Sequence, residues 1–125
     1  MKKILIIEDE KIVRNLMKKK LVEKGFQVEL AKNGEEGLQK IKSEHPNLIL
    51  LDIIMPKMNG FEVLEGMEGT EFVDIPVVIV SNSGQPVEID KAKEYGVKDW
   101  IVKTEFDPEE VIEKAIEQIG NPKNK

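Results

Sequence analysis

The sequence predicts an α/β fold in which five parallel strands form one doubly wound sheet with helices on both faces. Short apolar runs alternate with longer segments whose apolar residues recur at helical spacing, in a (βα)5 order. The runs ILII, LILL and VVIV are apolar at every position, as expected of parallel strands buried on both faces. A chain of 125 residues suits one domain. We therefore expect a domain over residues 1–120 and a frayed C-terminal tail over 121–125.

The first half of the chain predicts three strands and two helices. In order, these segments are Ile4–Ile7, Lys11–Lys24, Phe26–Ala31, Gly34–Glu44 and Leu48–Leu51. Gly25 is expected to end the first helix, and Pro46 the second. Leu38 and Ile41 form the inward stripe of the second helix.

The second half repeats the pattern with three helices and two strands. In order, these segments are residues 61–69, 77–80, 86–95, 100–102 and 108–119. The last helix has the clearest start, because Asp107 can cap it, Pro108 suits its first position and Glu110 would complete a capping box. Gly120 is expected to end it.

Composition excludes several classes of protein. Hydrophobic residues make up 40% and charged residues 34%, a balance typical of a folded domain in water. No apolar run approaches the roughly 20 residues of a membrane-spanning helix, and no signal peptide is visible, so we expect a cytoplasmic protein without a membrane partner. The absence of cysteine excludes disulfides and thiolate metal sites. The net charge of −5 argues against nucleic acid as a partner.

Polar side chains follow every predicted strand, but those after the second, Lys32 and Asn33, include nothing acidic. The others are Glu8, Asp9 and Glu10 after the first strand, Asp52 after the third, Ser81, Asn82 and Ser83 after the fourth, and Lys103 after the fifth. Sites in open α/β sheets form beyond the carboxyl ends of the strands. If the first and third strands are neighbours, three of these carboxylates meet.

The carboxylates of Glu8, Asp9 and Asp52 would repel one another unless a cation joined them. Hard oxygen ligands favour Mg²⁺, held by few carboxylates and several waters. The cation would also screen an incoming phosphoryl group from these charges, so that Asp52 could act as the nucleophile and form an aspartyl phosphate. Ser81 offers a hydroxyl donor and Lys103 a point charge to the phosphoryl oxygens.

The segments IIEDE, LLDIIMPKMNG, VVIVSNS and DWIVK, in this order and spacing, resemble the receiver domain of two-component response regulators, most closely the single-domain kind. The resemblance covers roughly residues 2–119. It implies a flavodoxin-like fold with strand order 2-1-3-4-5, the order of the chemotaxis member of this fold.

The resemblance also implies site roles. Asp52 would accept the phosphoryl group from a phosphohistidine or a small phosphodonor. Asp9 would bind Mg²⁺ directly, Glu8 would bind it through water, and the backbone carbonyl of Ile54 would be a further ligand.

Three further residues take roles by resemblance. Ser81 would move to the phosphoryl group and Lys103 would pair with it. Trp100, three residues before Lys103, occupies the position of the switch aromatic, which turns inward as Ser81 moves. Trp100 is alternatively a half-buried strand residue without that role.

Two residues depart from the family pattern. Asn82 stands where the family has a small residue, and it either restricts access and alters dephosphorylation or points aside without effect. Thr104 stands where the family has proline after a cis peptide bond. A cis bond costs about 0.5–1 kcal/mol before proline but roughly 3–4 kcal/mol otherwise, so either the bond stays cis under strain or the loop differs.

The resulting prediction is a stand-alone phospho-switch rather than an enzyme, catalysing only its own aspartyl phosphorylation and dephosphorylation. Its partners would be a sensor histidine kinase or phosphotransfer protein and a downstream target in trans, and it would be a monomer or a phosphorylation-dependent dimer. The alternative is a degenerate receiver that binds partners without phosphorylation. A haloacid-dehalogenase-type phosphatase would need a second acid where Ile54 stands, and no GxxxxGK loop supports a nucleotide hydrolase.

Overall fold

The structure is a computed structural model that describes residues 2–82, 85–103 and 107–122. Strands and helices alternate along these residues in the predicted (βα)5 order. The elements are β1 Lys3–Ile7, α1 Lys11–Lys24, β2 Gln27–Ala31, α2 Gly34–Glu44, β3 Leu48–Leu51, α3 Gly60–Met67, β4 Val77–Ser81, α4 Pro86–Glu94, β5 Asp99–Val102 and α5 Pro108–Ile119. The boundaries differ from the predicted ones by one or two residues; the most relevant shift is Ser81, which is the last residue of β4 rather than the first residue beyond it.

The five strands form one parallel sheet in the order β2-β1-β3-β4-β5, which confirms the predicted topology. β1 lies between β2 and β3, and Ile7 at its carboxyl end is level with Ala31 and Leu51. The strand order reverses direction between β1 and β3. In open α/β sheets a crevice forms at such a switch point, beyond the carboxyl ends of the strands.

The sheet is covered on both faces because successive side chains of a strand point to opposite sides. Ile4 and Ile6 of β1 pack in a cluster with residues of α1 and α5. Leu5 and Ile7 pack on the other face with residues of α2, α3 and α4. All four are fully buried, which explains why strands apolar at every position are required here.

Two helix starts differ from prediction in their capping. Asp107 caps α5 as expected, but its side chain accepts from the Glu109 N–H at 3.0 Å, and the predicted capping box with Glu110 is absent from the described hydrogen bonds. A capping box forms instead at α3, where Asn59 and Glu62 each accept from the other's backbone N–H. The helix α3 thus begins at Gly60, one residue before the predicted start.

Of the predicted C-terminal tail, the structure describes Asn121 and Pro122. Pro122 is buried against Gly25, which ends α1 in a left-handed conformation with φ of 114°. Residues 123–125 lie outside the described ranges. Over the described residues, every helix is too short or too polar to span a bilayer.

Candidate functional site

Asp52 and Glu8 lie side by side at the switch point because each extends the sheet by one residue. The Asp52 N–H donates to the Ile7 carbonyl and the Glu8 N–H donates to the Ala31 carbonyl, both at 3.0 Å. Both side chains are almost fully buried. The backbone ladder therefore fixes two carboxylates at the mouth of the crevice, as the sequence predicted for Asp52.

The loop after Asp52 is held by close backbone packing. The Gly60 N–H donates to the Ile53 carbonyl at 2.8 Å. A Cβ on Gly60 would lie 2.5 Å from the Asp52 carbonyl oxygen, and one on Gly34 would collide with the Met58 carbonyl. Glycine is needed at both positions because another segment's backbone occupies the space of a side chain. The start of α3 thereby fixes the backbone on which Asp52 sits.

Glu8, Asp9 and Asp52 form the predicted carboxylate cluster. Each offers an oxygen that lies within 4.8 Å of the others. Glu8 and Asp52 are buried and Asp9 is exposed at the mouth. Glu8 Oε1 is buried without a hydrogen-bond partner among the described residues, which is costly for a carboxylate oxygen.

Lys103 joins this cluster from the end of β5. Its Nζ atom donates to Glu8 Oε2 at 2.9 Å, to Glu10 Oε1 at 3.0 Å and to Asp52 Oδ2 at 3.2 Å. The contact with Glu10 was missed in the sequence, where Glu10 was placed after the first strand but outside the converging set. The site thus holds four carboxylates and one ammonium, a formal charge of −3 when all are ionised.

Burial and mutual repulsion perturb the pKa values of these groups. Burial raises the pKa of Glu8 to about 8, against the opposing hydrogen bond from Lys103 and with a further contribution from the Asp52 charge. Burial likewise raises the pKa of Asp52, while Lys103 opposes the rise. Burial lowers the pKa of Lys103, but its hydrogen bonds to Glu8 and Glu10 outweigh this and raise it overall. The cluster therefore has an excess of negative charge, which Lys103 alone does not balance.

This donor set fits Mg²⁺. Carboxylate oxygens are ligands that Mg²⁺ prefers, and the three oxygens lie within 4.8 Å of one another, close enough for one ion to bind them directly or through water. The buried, unpartnered Glu8 Oε1 would gain a partner, directly or through a bound water. A divalent cation would also offset the Asp52 charge, which adds to the effect of burial in raising the pKa of Glu8.

Arg14 supports the site from α1, which the sequence did not indicate. Its Nη1 atom donates to the Glu8 carbonyl at 2.9 Å and to the Asp9 carbonyl at 3.4 Å. These bonds hold the turn that aims the Asp9 side chain at the mouth. An arginine five residues beyond an acidic strand end carries no distinctive sequence signal, because the same spacing suits an exposed helix face.

The other predicted residues lie around this core. Ser81 is buried at the end of β4, opposite Val102, the residue before Lys103. Asn82 is exposed directly after Ser81. The Ile54 side chain points outward, 67% exposed. Thr104 and its peptide geometry lie outside the described residues.

Trp100 is half-buried on β5, packed against the cluster on the α2–α4 face of the sheet. With Ile89, Ala92 and Val97 it lines a cavity of about 200 Å³ between α4 and β5. The half-buried position suits both predicted roles for Trp100.

A parallel sheet of this order, with buried carboxylates and a lysine at its switch point, defines a receiver-type domain. The response regulator receiver domain family matches residues 4–116, and the chain belongs to that family.

Related proteins agree with this assignment. The chain is 34% identical over 124 residues to a probable transcriptional regulator ycf27 from Cyanophora paradoxa, covering 97% of the chain and 51% of the relative. It thus spans about half the length of that protein.

Solved structures are similar over nearly their whole length. A CheY-like response regulator receiver domain protein from Methanospirillum hungatei superposes with a TM-score of 0.87 at 30% identity, covering 95% of this chain and 94% of that one. The CheX–CheY–BeF3–Mg²⁺ complex from Borrelia burgdorferi gives a TM-score of 0.85 at 27% identity, covering 93% and 87%.

Proposed function

We propose that this chain is a phosphorylation-driven switch in which Asp52 accepts a phosphoryl group in a Mg²⁺-dependent reaction. The observation that carries this proposal is the arrangement at the β1–β3 mouth. A buried Asp52 carboxylate lies 3.2 Å from Lys103 Nζ and beside Glu8 and Asp9, whose oxygens suit a cation. A phosphoryl acceptor needs a nucleophile, nearby positive charge and a fixed geometry, and this arrangement provides all three.

The step is an in-line displacement on phosphorus. An oxygen of the Asp52 carboxylate attacks the phosphorus atom and forms the acyl phosphate bond. The bond from phosphorus to the donor breaks, and its electron pair remains on the imidazole nitrogen of a phosphohistidine or on the carboxylate oxygen of acetyl phosphate. A bound Mg²⁺ would neutralise charge on the transferring oxygens. Glu8, Asp9, Asp52 and the Ile54 carbonyl are the proposed ligands.

Ser81 and Lys103 are the proposed contacts of the phosphoryl oxygens, since both end neighbouring strands at the same edge of the sheet. Hydrogen bonds to a charged group are worth roughly 1.5–3 kcal/mol each. Two contacts made only after phosphorylation would supply several kcal/mol, against about 5.5 kcal/mol for a shift from 1:99 to 99:1. We propose that the Trp100 side chain, beside the cavity between α4 and β5, changes position when the population shifts.

The proposed partners are a sensor histidine kinase or phosphotransfer protein upstream and a protein target in trans downstream. We propose a cytoplasmic monomer or phosphorylation-dependent dimer, with no membrane or nucleic-acid contact by this domain and no catalysis beyond its own phosphorylation and dephosphorylation. The net charge of −5 supports protein rather than nucleic-acid contacts. The relative of twice the length is a probable transcriptional regulator, which makes output through an attached domain the competing arrangement.

The deciding experiment is the intact mass after incubation with Mg²⁺ and acetyl phosphate, beside an Asp52→Asn control. We expect the parent alone to gain one phosphoryl group, and to gain none when Mg²⁺ is chelated. A parent whose mass stays unchanged with several small donors and with a histidine kinase would instead support the degenerate receiver, which binds without phosphorylation.

Asn82 is proposed to modulate the lifetime of the phosphoryl group, because its exposed side chain directly follows Ser81. Loss of the phosphoryl group is followed by mass after the donor is removed, in the parent and in Asn82→Ala. We expect a changed rate of loss in the variant. Equal rates would assign Asn82 to a surface position without a role in the reaction.

A further inference from the structure

Lys103 has no free donor in this structure. An ammonium group has three N–H donors and no acceptor. Glu8, Glu10 and Asp52 each accept one, at 2.9, 3.0 and 3.2 Å. A phosphoryl group on Asp52 therefore obtains a hydrogen bond from Lys103 only if one of these carboxylates gives up its own.

Glu10 is the partner that can leave at the smallest cost. The Glu8 side chain is 1% exposed, and its Oε2 atom also accepts from the Glu10 backbone N–H at 3.1 Å. A rotation of Glu8 away from Lys103 would therefore break two hydrogen bonds inside the protein. The Asp52 side chain, 4% exposed, carries the phosphoryl group itself. The Glu10 side chain is 50% exposed and can be solvated by a rotation about its own bonds.

We infer that Glu10 is a positioning residue that occupies Lys103 before phosphorylation and competes with the phosphoryl group for it. The inference rests on the proposed function of Asp52 and adds a regulatory element to that site. In the unphosphorylated protein, Glu10 holds the lysine at the mouth. As the phosphoryl group arrives, the Glu10 carboxylate turns to solvent and its hydrogen bond from Lys103 passes to a phosphoryl oxygen.

Removal of this competition is expected to favour phosphorylation. Glu10→Gln keeps the size and one acceptor oxygen but removes the charge, and Glu10→Ala removes both. At saturating Mg²⁺ we expect acetyl phosphate to modify Glu10→Gln about two- to fivefold faster than the parent, and Glu10→Ala at least as fast, the size expected for loss of one partly exposed ion pair.

General repulsion of an anionic donor would also speed the reaction when Glu10 is neutralised, so two controls separate the effects. Glu35→Gln removes an exposed charge from the first turn of α2, and Glu35 is not among the ion-pair partners of Lys103. Acetyl phosphate and phosphoramidate differ in net charge. Competition predicts the same acceleration with both donors and none from Glu35→Gln, whereas an acceleration that scales with donor charge, or that Glu35→Gln shares, overturns the inference.

An equilibrium measurement tests the same point without turnover. Beryllofluoride with Mg²⁺ mimics the phosphoryl group, and the single tryptophan, Trp100, reports its binding by fluorescence. We expect the Kd for beryllofluoride to fall about two- to fivefold in Glu10→Gln. Tighter binding is a gain that general damage to the fold would not produce.

The outcomes distinguish this inference from the proposed function. A parent that takes up the phosphoryl group and beryllofluoride, with Glu10 variants that are unchanged or weaker, overturns the inference and leaves the proposed function standing. A parent that takes up neither overturns the proposed function and the inference together.

Discussion

The β1–β3 mouth and the α4–β5 edge are held in opposite ways. At the mouth, backbone bonds of 3.0 Å fix both Asp52 and Glu8, and both side chains are buried. At the edge, α4 buries only Ala92 of its nine residues. A cavity of about 200 Å³ lies between it and β5, lined in part by Trp100.

Polar contacts add to the core packing of Ala92 and Ile101 at that edge. Lys91 of α4 places its Nζ atom 4.4 Å from the centre of the Phe61 ring of α3, a cation–π contact. Lys114 of α5 pairs with Asp99 at the start of β5 at 2.7 Å. Regions with few buried apolar contacts open and rearrange at the smallest free-energy cost. The carboxylate cluster therefore lies in the firmly held region, and a change of shape costs least at the α4–β5 edge.

The largest expected difference between the two regions is in core packing. Ile6 is fully buried in β1, whereas Ile89 of α4 is half-buried at the cavity. We expect Ile6→Ala to lower the free energy of unfolding by about 2–5 kcal/mol, through lost burial and a new cavity. Ile89→Ala should cost about 1 kcal/mol or less. Urea unfolding followed by circular dichroism measures both.

The comparison fails if the two isoleucines cost the same. Equal losses would mean that α4 is as firmly part of the core as β1, and that the cavity beside Trp100 does not mark a weakly held edge. Unfolding slopes that match the parent's are required for the comparison to hold.

The second prediction concerns the backbone support of Asp52. A Cβ on Gly60 would meet the Asp52 carbonyl at 2.5 Å, whereas one on Gly66 of the same helix would meet the tip of the Leu38 side chain at 2.8 Å. The Asp52 backbone carbonyl cannot move aside, whereas the end of the Leu38 side chain can rotate away. We expect Gly60→Ala to destabilise by about 1–3 kcal/mol and to slow phosphorylation. Gly66→Ala should be milder, since alanine also favours helix.

Phosphorylation by mass and urea unfolding on the same samples check this pair. If Gly60→Ala were as stable and as readily phosphorylated as Gly66→Ala, the start of α3 would not be what positions Asp52.

The third prediction is that Mg²⁺ stabilises the folded protein by binding to the carboxylates at the β1–β3 mouth. A ligand that binds only the folded state adds about 1.4 kcal/mol to the free energy of unfolding at a concentration about ten times its Kd. We expect this gain in the parent, and most of it lost in Asp9→Asn, whose exposed carboxylate belongs to the cluster. Ca²⁺ and Na⁺ at matched ionic strength are the controls, and equal stabilisation by Na⁺ would contradict a specific site.

Most of the fold could be predicted because the three central strands, β1, β3 and β4, carry an unambiguous pattern. Runs such as LILL are apolar at every position, and only a strand buried on both faces requires that. The start of α3 was harder. Asn59-Gly60 suits a turn as well as a helix start, and the choice depends on how closely Gly60 approaches Asp52, a contact between segments that local propensity does not contain.

The site was predictable to the extent that it follows from strand ends. Glu8, Asp52 and Lys103 meet because β1, β3 and β5 end at the same edge of one sheet. The partners from α1 and its preceding turn were not predictable. Glu10 and Arg14 reach the site through side-chain rotamers, and sequence spacing does not specify which way a long side chain turns.

The smallest expected effect belongs to the ion pair that joins α5 to β5. The hydrogen bond to Asp99 is the main cause that raises the pKa of Lys114 above its ordinary value of 10.5. A lysine whose pKa is higher in the folded state contributes stability that is complete below the ordinary value and is lost as pH rises through the folded-state value. Both side chains are about a quarter exposed, so we expect the ion pair to contribute at most about 1 kcal/mol to the free energy of unfolding.

The difference in free energy of unfolding between the parent and Lys114→Gln, measured at pH 8 and again above pH 10.5, should shrink at the higher pH. A difference that stays constant would show that Lys114 acts through packing of its aliphatic chain, and that the loose edge is held by contact area rather than by charge.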